Sequence, residues 1–227
     1  MIVAIDGPAG SGKSTVARAI AERCGLTYLD TGAMYRCVTL ACLRRGIADD
    51  DVDGVAGVAR GVRIEFGVSG EGQTVLLDGG DVTRDIRTPE VDRAVSAVSA
   101  IPAVRDVMVE LQRRVGKAGD VVAEGRDIGT VVFPHADVKV FLTADAEARA
   151  HRRAVQREGG DVARDARASA DVAEEQAILA EIRRRDELDS TRREAPLRPA
   201  DDAHHIDSSA MGVDEVVARV IELMERV

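Results

Sequence analysis

The sequence predicts a three-layer α/β fold built on a central parallel sheet, and three observations carry that expectation. The apolar runs at residues 2–5, 121–123 and 138–142 have the composition of strands buried on both faces. Amphipathic, helix-period stretches alternate with them. Between the first strand and the first helix lies a glycine-rich loop, Gly7-Pro8-Ala9-Gly10-Ser11-Gly12-Lys13-Ser14.

The elements follow in order. Residues 2–5 form a strand, and the helix opening near Lys13 sets Val16, Ala17, Ile20 and Ala21 on one face. A short strand, Thr27-Tyr28-Leu29, leads through Asp30-Thr31-Gly32 into a helix carrying Met34, Val38, Ala41 and Cys42. Residues 62–66 and 74–77 alternate or run apolar across Gly70-Glu71-Gly72, which predicts a hairpin and interrupts the βα rhythm. Two helices come next, the second opening at Pro102 with Val104, Val107, Met108, Leu111 and Val115 at helical spacing. The parallel sheet resumes at 121–123 and 138–142. Residues 157–171 are polar, charged and glycine-containing between two helical stretches, a composition suited to a surface lid. Val213, Val216, Val217, Val220, Ile221 and Met224 make the apolar stripe of a last helix docked on the sheet.

Composition bounds the function. A chain of 227 residues with 45% hydrophobic content suits one globular domain with insertions. Met1 runs directly into the first strand with no basic leader, and no stretch is long and apolar enough to span a bilayer, so no signal peptide and no membrane partner are expected. Cys24, Cys37 and Cys42 are odd in number and lack CxxC spacing; they read as reduced core thiols of a cytoplasmic protein. His204-His205 are adjacent in a strand and so face opposite ways, which disfavours a metal site. The net charge of −9 argues against a nucleic-acid partner. Arginine pairs and triplets, such as Arg152-Arg153 and Arg183-Arg184-Arg185, still allow a positive cleft inside an acidic shell. No heptad seam demands an oligomer, and a monomer is expected.

The glycine loop is the first chemical signal. Its glycines let backbone N–H groups converge on phosphate oxygens, Lys13 reaches the β and γ phosphates, and the Ser14 hydroxyl faces Mg²⁺. The expected donor-binding set is Gly7, Pro8, Ala9, Gly10, Ser11, Gly12, Lys13, Ser14 and Thr15. Motor ATPases, GTPases and kinases share such a P-loop, so other residues must decide among them. A GTPase needs an Asn-Lys-x-Asp element to read guanine, and this sequence contains no asparagine. A motor's strand usually ends in Asp-Glu, whereas this one runs Val121-Val122-Ala123-Glu124-Gly125-Arg126-Asp127. Glu124 sits where a carboxylate can hold Mg²⁺ through water, and Arg126 lies near the group transferred.

Three further blocks resemble the bacterial cytidylate kinase family of nucleoside monophosphate kinases. They are 29–36 (Leu-Asp-Thr-Gly-Ala-Met-Tyr-Arg), 124–134 (Glu-Gly-Arg-Asp-Ile-Gly-Thr-Val-Val-Phe-Pro) and Arg185-Asp186-x-x-Asp189-x-x-Arg192. With the P-loop they span almost the whole chain. The resemblance implies transfer of the γ-phosphoryl group of ATP to CMP or dCMP, with Mg²⁺ as cofactor. It also implies a core over about 1–61, 116–150 and 188–227, a monophosphate-binding insertion containing the antiparallel sheet over about 62–115, and a helical lid over about 151–187. Carried over by position, it sets Thr31, Tyr35, Arg36 and Arg126 around the acceptor nucleotide, and Asp189 with Arg192 near its ribose and phosphate. Ser96, Arg105 and Asp127 match the positions that read the base, and Arg153 and Arg185 are the lid-side arginines. Lys13, Arg126, Arg153 and Arg185 are thus the expected catalytic set.

The base assignment is physically coherent. Cytosine offers an N4 donor and N3 and O2 acceptors, which complement a carboxylate such as Asp127 and a guanidinium such as Arg105. Uracil reverses both edges and leaves those groups unpaired. A kinase for UMP or another monophosphate is the alternative within the enzyme class. A catalytically silent nucleotide-binding regulator is the alternative outside it, disfavoured because Glu124, Arg126, Arg185 and Arg192 occur together.

Overall fold

The computed structural model describes residues 1–69, 72–157 and 171–227. Strand β1 (Ile2–Asp6) enters the glycine loop and helix α1 (Lys13–Cys24), and β2 (Thr27–Asp30) follows. Gly25, in the left-handed conformation at φ 69°, closes α1. Then come α2 (Thr31–Arg44), α3 (Val52–Gly61), β3 (Ile64–Ser69), β4 (Gly72–Leu77) and β5 (Gly80–Asp81). A 3-10 turn at Asp85–Arg87 precedes α4 (Pro89–Ala100) and α5 (Pro102–Lys117). The chain continues through β6 (Val121–Gly125), a π-helical turn (Ile128–Val132), β7 (Val138–Thr143), α6 (Ala146–Arg157), α7 (Val172–Thr191), β8 (His204–Asp207) and α8 (Val213–Met224).

The chain divides into two compact units, one of Met1–Leu29 with Val115–Val227 and one of Asp30–Arg114. In the larger, the central sheet has the order β2-β6-β1-β7-β8, with parallel pairing of β1 to β6 and β7 and of β7 to β8. This is the expected α/β architecture. Both neighbours of β1 are reached by long crossovers, so the end of β1 emerges at the centre of the sheet, where the phosphate loop begins. The core is aliphatic: Val3, Ile5, Val122, Val140, Leu142 and Ile206 from the strands pack on Val16, Ala17 and Ile20 of α1 and on Val216, Val217 and Val220 of α8. Helices α6 and α7 pack on each other through Ala150, Ala154, Ile178 and Ile182. Of the segment 157–171 expected to form a surface lid, residues 158–170 lie outside the described residues.

The smaller unit begins at Asp30, ahead of the boundary expected near residue 62, because α2 packs on both α3 and α4. The Asp30 carboxylate accepts from the Ala33 N–H at 2.9 Å and caps α2, so one residue ends a strand and starts a helix. The expected hairpin is β3 against β4, paired from Ile64 with Leu77 to Ser69 with Gly72; the tip at Gly70 and Glu71 lies outside the described residues. A third strand, β5, was not expected. It follows a two-residue turn in which Asp78 (φ 52°) and Gly79 (φ 85°) are both left-handed, the requirement of a type I′ hairpin. Helix α3 was also unforeseen. Cys37 and Cys42 are buried, but Cys24 is exposed, which corrects its reading as a core thiol: it is the last residue of α1, beyond the buried face formed by Val16, Ala17, Ile20 and Ala21.

Candidate active site

The phosphate loop is shaped by its own glycines and by what holds its back. A Cβ on Gly7 would stand 2.0 Å from the Leu142 carbonyl oxygen, so only glycine fits. Gly10 (φ 79°) and Gly12 (φ 91°) take left-handed conformations that turn the loop into α1. Three loop carbonyls each find a side-chain donor. The Lys13 ammonium donates to Pro8 O at 2.7 Å, the Arg149 guanidinium to Ala9 O at 3.1 Å, and the Ser208 hydroxyl reaches Ser11 O at 3.2 Å. The loop ends at the N-terminus of α1, where backbone amides and the helix dipole suit an anion.

Around this loop the larger unit gathers most of the residues expected on the donor side. The Ser14 hydroxyl donates to Glu124 Oε1 at 2.6 Å, bringing the two expected Mg²⁺-side oxygens together. The Tyr28 hydroxyl reaches the same carboxylate oxygen at 3.4 Å. A hydroxyl beside a carboxylate is an all-oxygen donor set, which fits a hard divalent cation. Lys13 is buried, and burial together with the Arg126 charge pushes its ammonium down to about 7 against the pull of Glu124 and Asp6. An anion in the loop would reverse that shift. Thr15 is exposed on α1.

The arginines are held by carboxylates. Arg126 Nε donates to Asp189 Oδ2 at 2.9 Å, so two residues that the sequence set at different parts of the acceptor are one ion pair. Burial works against the Asp189 charge, but Arg126, Arg185 and Arg192 more than offset it and hold the carboxyl below its ordinary value. Arg185 also stands near enough to depress the Lys13 ammonium. Arg192 donates to the Ala195 carbonyl, and Arg153 is half-buried on α6.

In the smaller unit, Arg36 donates to the Ile86 carbonyl at 2.9 Å and pairs with Asp92. Thr31 and Tyr35 are buried in the first turns of α2. The buried Arg105 guanidinium stands 5.8 Å from the Tyr35 ring centroid and donates to Ser99 O at 3.4 Å. Ser96 is half-buried on α4, and its carbonyl accepts from the Ser99 hydroxyl. Asp127, the other expected base reader, is buried in the larger unit directly before the π-helical turn.

Three residues at the donor site escaped the sequence reading. Arg149 is buried, donates to Ala144 O and Ala9 O, and forms a two-bonded fork with Asp186 at 3.1 and 2.7 Å. Ser208, after β8, is the buried hydroxyl behind the loop. Asp6, last residue of β1, accepts from the N–H groups of Ile128 and Gly129, each at 2.7 Å. Burial pushes the Asp6 carboxyl up to about 7, against those two N–H groups, which favour its charged form.

The chain is similar to known proteins over almost its whole length. The family model for cytidylate kinase matches residues 3–226. A cytidylate kinase of Rhodococcus opacus is 51% identical over 226 residues, covering 97% of this chain and 93% of its own. One from Corynebacterium glutamicum is 51% identical over 228 residues, covering 99% and 94%. One from Carboxydothermus hydrogenoformans is 46% identical over 226 residues, covering 100% and 98%. Among solved structures, an uncharacterized protein of Eubacterium ventriosum matches with a TM-score of 0.51 at 13% identity, covering 100% of this chain and 99% of its own, a likeness of fold alone. With a family match from one end of the sequence to the other, the chain belongs to the cytidylate kinase family.

Proposed function

We propose that this protein is an ATP-dependent kinase that moves the γ-phosphoryl group of ATP onto CMP or dCMP, giving ADP and CDP or dCDP. The observation that carries the reading is the family match over residues 3–226, on a chain whose phosphate loop keeps Lys13 buried across it and Ser14 against Glu124.

The loop amides and Lys13 hold the donor phosphates, Lys13 exchanging the Pro8 carbonyl for phosphate oxygens. Ser14, and Glu124 through water, would hold Mg²⁺, which supplies positive charge to the phosphate oxygens. Arg126, Arg153 and Arg185 neutralise charge on the phosphoryl group in flight, so most of the rate effect is positioning and electrostatics. Asp189 keeps Arg126 charged and oriented. Thr31, Tyr35, Arg36 and Arg192 bind the acceptor nucleotide, and Asp127, Arg105 and Ser96 read its base. The acceptor phosphate is already largely ionised near neutral pH, so no strong general base is needed. The residues about 151–187 exclude water and suppress ATP hydrolysis.

Cytoplasmic location and a monomeric state complete the proposal. Supporting them, the three cysteines are free thiols, no helix among the described residues is long and apolar enough to cross a membrane, and the exposed large apolar residues there are scattered. Incubation with ATP, Mg²⁺ and CMP, followed by chromatography of the products, tests the activity: CDP and ADP in equal amounts are expected, and ADP without CDP would overturn it.

A further inference from the structure

Asp6 is a buried carboxylate that the transfer chemistry described above leaves unused. It is the last residue of β1 and the immediate neighbour of Gly7, where the phosphate loop begins. Its two oxygens do separate jobs, Oδ1 accepting from Ile128 N–H and Oδ2 from Gly129 N–H, both at 2.7 Å and both in the interior. Those amides open the π-helical turn Ile128–Val132, whose five-residue spacing is rare and needs support from outside the helix. Inside the turn the Asp127 carbonyl accepts from the Val131 and Val132 N–H groups at 2.8 and 3.2 Å, so the same residue that caps the turn bears the carboxylate assigned to the base.

The clasp is close on both sides. A Cβ on Gly129 would meet the stem of Lys139 at 3.2 Å and Asp6 Oδ2 at 3.4 Å. Lys139 is itself tied down, donating to the Pro134 carbonyl at 2.6 Å and to Asp202. The turn therefore has little room to shift while Asp6 keeps both bonds.

We infer that Asp6 is a positioning residue for acceptor recognition: by gripping the Ile128 and Gly129 amides it fixes the turn that presents Asp127, and so sets discrimination between cytosine and uracil. The inference rests on the reading of Asp127 as a base reader. Only a residue with two acceptor oxygens and no N–H serves here. Asn keeps one oxygen but points an amino group at a backbone N–H, leaving one buried donor unsatisfied.

The test compares wild type, Asp6→Asn, Asp127→Asn and the double variant. Asp6→Asn is expected to raise KM for CMP and to lower the CMP-to-UMP ratio of kcat/KM, each by about tenfold, as loss of one buried hydrogen bond implies. KM for ATP should change less than about threefold. The double variant should discriminate no worse than Asp127→Asn alone, because both changes act on one group. Gly129→Ala, which crowds the clasp and keeps every charge, should shift the ratio the same way. Amide hydrogen exchange supplies a readout independent of substrate: Ile128 and Gly129 should exchange faster in Asp6→Asn. An unchanged CMP-to-UMP ratio with unchanged exchange overturns the inference, as does a rise in KM for ATP equal to that for CMP. A ratio altered by Asp6→Asn but not by Asp127→Asn defeats the route through Asp127. Failure of wild type to make CDP defeats the activity instead, and the exchange result still decides the clasp.

Discussion

Arg149 and Asp186 form a two-bonded fork, with guanidinium-to-carboxylate distances of 3.1 and 2.7 Å, and the same guanidinium donates to the carbonyl of Ala9 in the phosphate loop. Helix α7, which carries Arg185 and Asp189, is thereby tied to the loop through a side chain on α6. Planar fork geometry is what lets one residue serve a carboxylate and two carbonyls at once.

Arg149→Lys keeps the charge and loses the fork. It is expected to lower stability by about 2 kcal/mol, since buried acceptors lose their donors. For a chain of this size that is roughly 4–8 °C in Tm. Calorimetry checks it, and a wild-type Tm would show that the fork contributes nothing.

Lys13→Met should abolish most transfer, with kcat falling by about a thousandfold, in line with removal of a central phosphate-binding charge. The substrate-free protein should nevertheless gain stability. Burial already works against the Lys13 ammonium, and Met fills similar volume without a charge to desolvate. A higher Tm together with lost activity is the expected pair of results.

Asp189→Asn leaves Arg126 half of a broken, largely buried pair, a loss of about 3 kcal/mol near neutral pH. Asp189 is held below its ordinary value of 3.8, so its stabilisation is complete above that value and is lost as pH falls through the lower folded one. Urea melts should therefore show a gap between wild type and variant at pH 7 that narrows below pH about 4. A gap independent of pH would mean that the Asp189 charge is not its source.

Gly7→Ala places a methyl group 2.0 Å from the Leu142 carbonyl oxygen, backbone against which no side chain can yield. A loss of about 2–4 kcal/mol is expected, with KM for ATP rising as the loop shifts. Normal stability and normal KM would show that the loop can open at no cost.

How far this was readable in the sequence depended on distance along the chain. Strands at 2–5, 121–123 and 138–142 declared themselves because a strand buried on both faces is apolar at nearly every position, Lys139 being the one exception in these runs. Helix α3 was hidden by Gly54, Gly57 and Gly61, poor helix formers in a segment held by the Asp51 cap and by packing on α2. The Asp78-Gly79 turn is an Asp-Gly hairpin signal legible in the sequence itself. The P-loop is a local motif and was fully visible. Asp6, Ser208 and Arg149 were not, because their partners lie 122, 197 and 37 positions away in the chain and only the fold brings them together. Arg149 also stands among many arginines with nothing local to mark it.

The most direct test of the central claim is kcat/KM for CMP, dCMP, UMP and AMP with saturating ATP and Mg²⁺, followed by coupled detection of ADP. The account predicts that CMP and dCMP exceed UMP and AMP by at least about a hundredfold, the discrimination available when a base leaves buried polar groups unpaired. Equal values for CMP and UMP, or a preference for AMP, would contradict it.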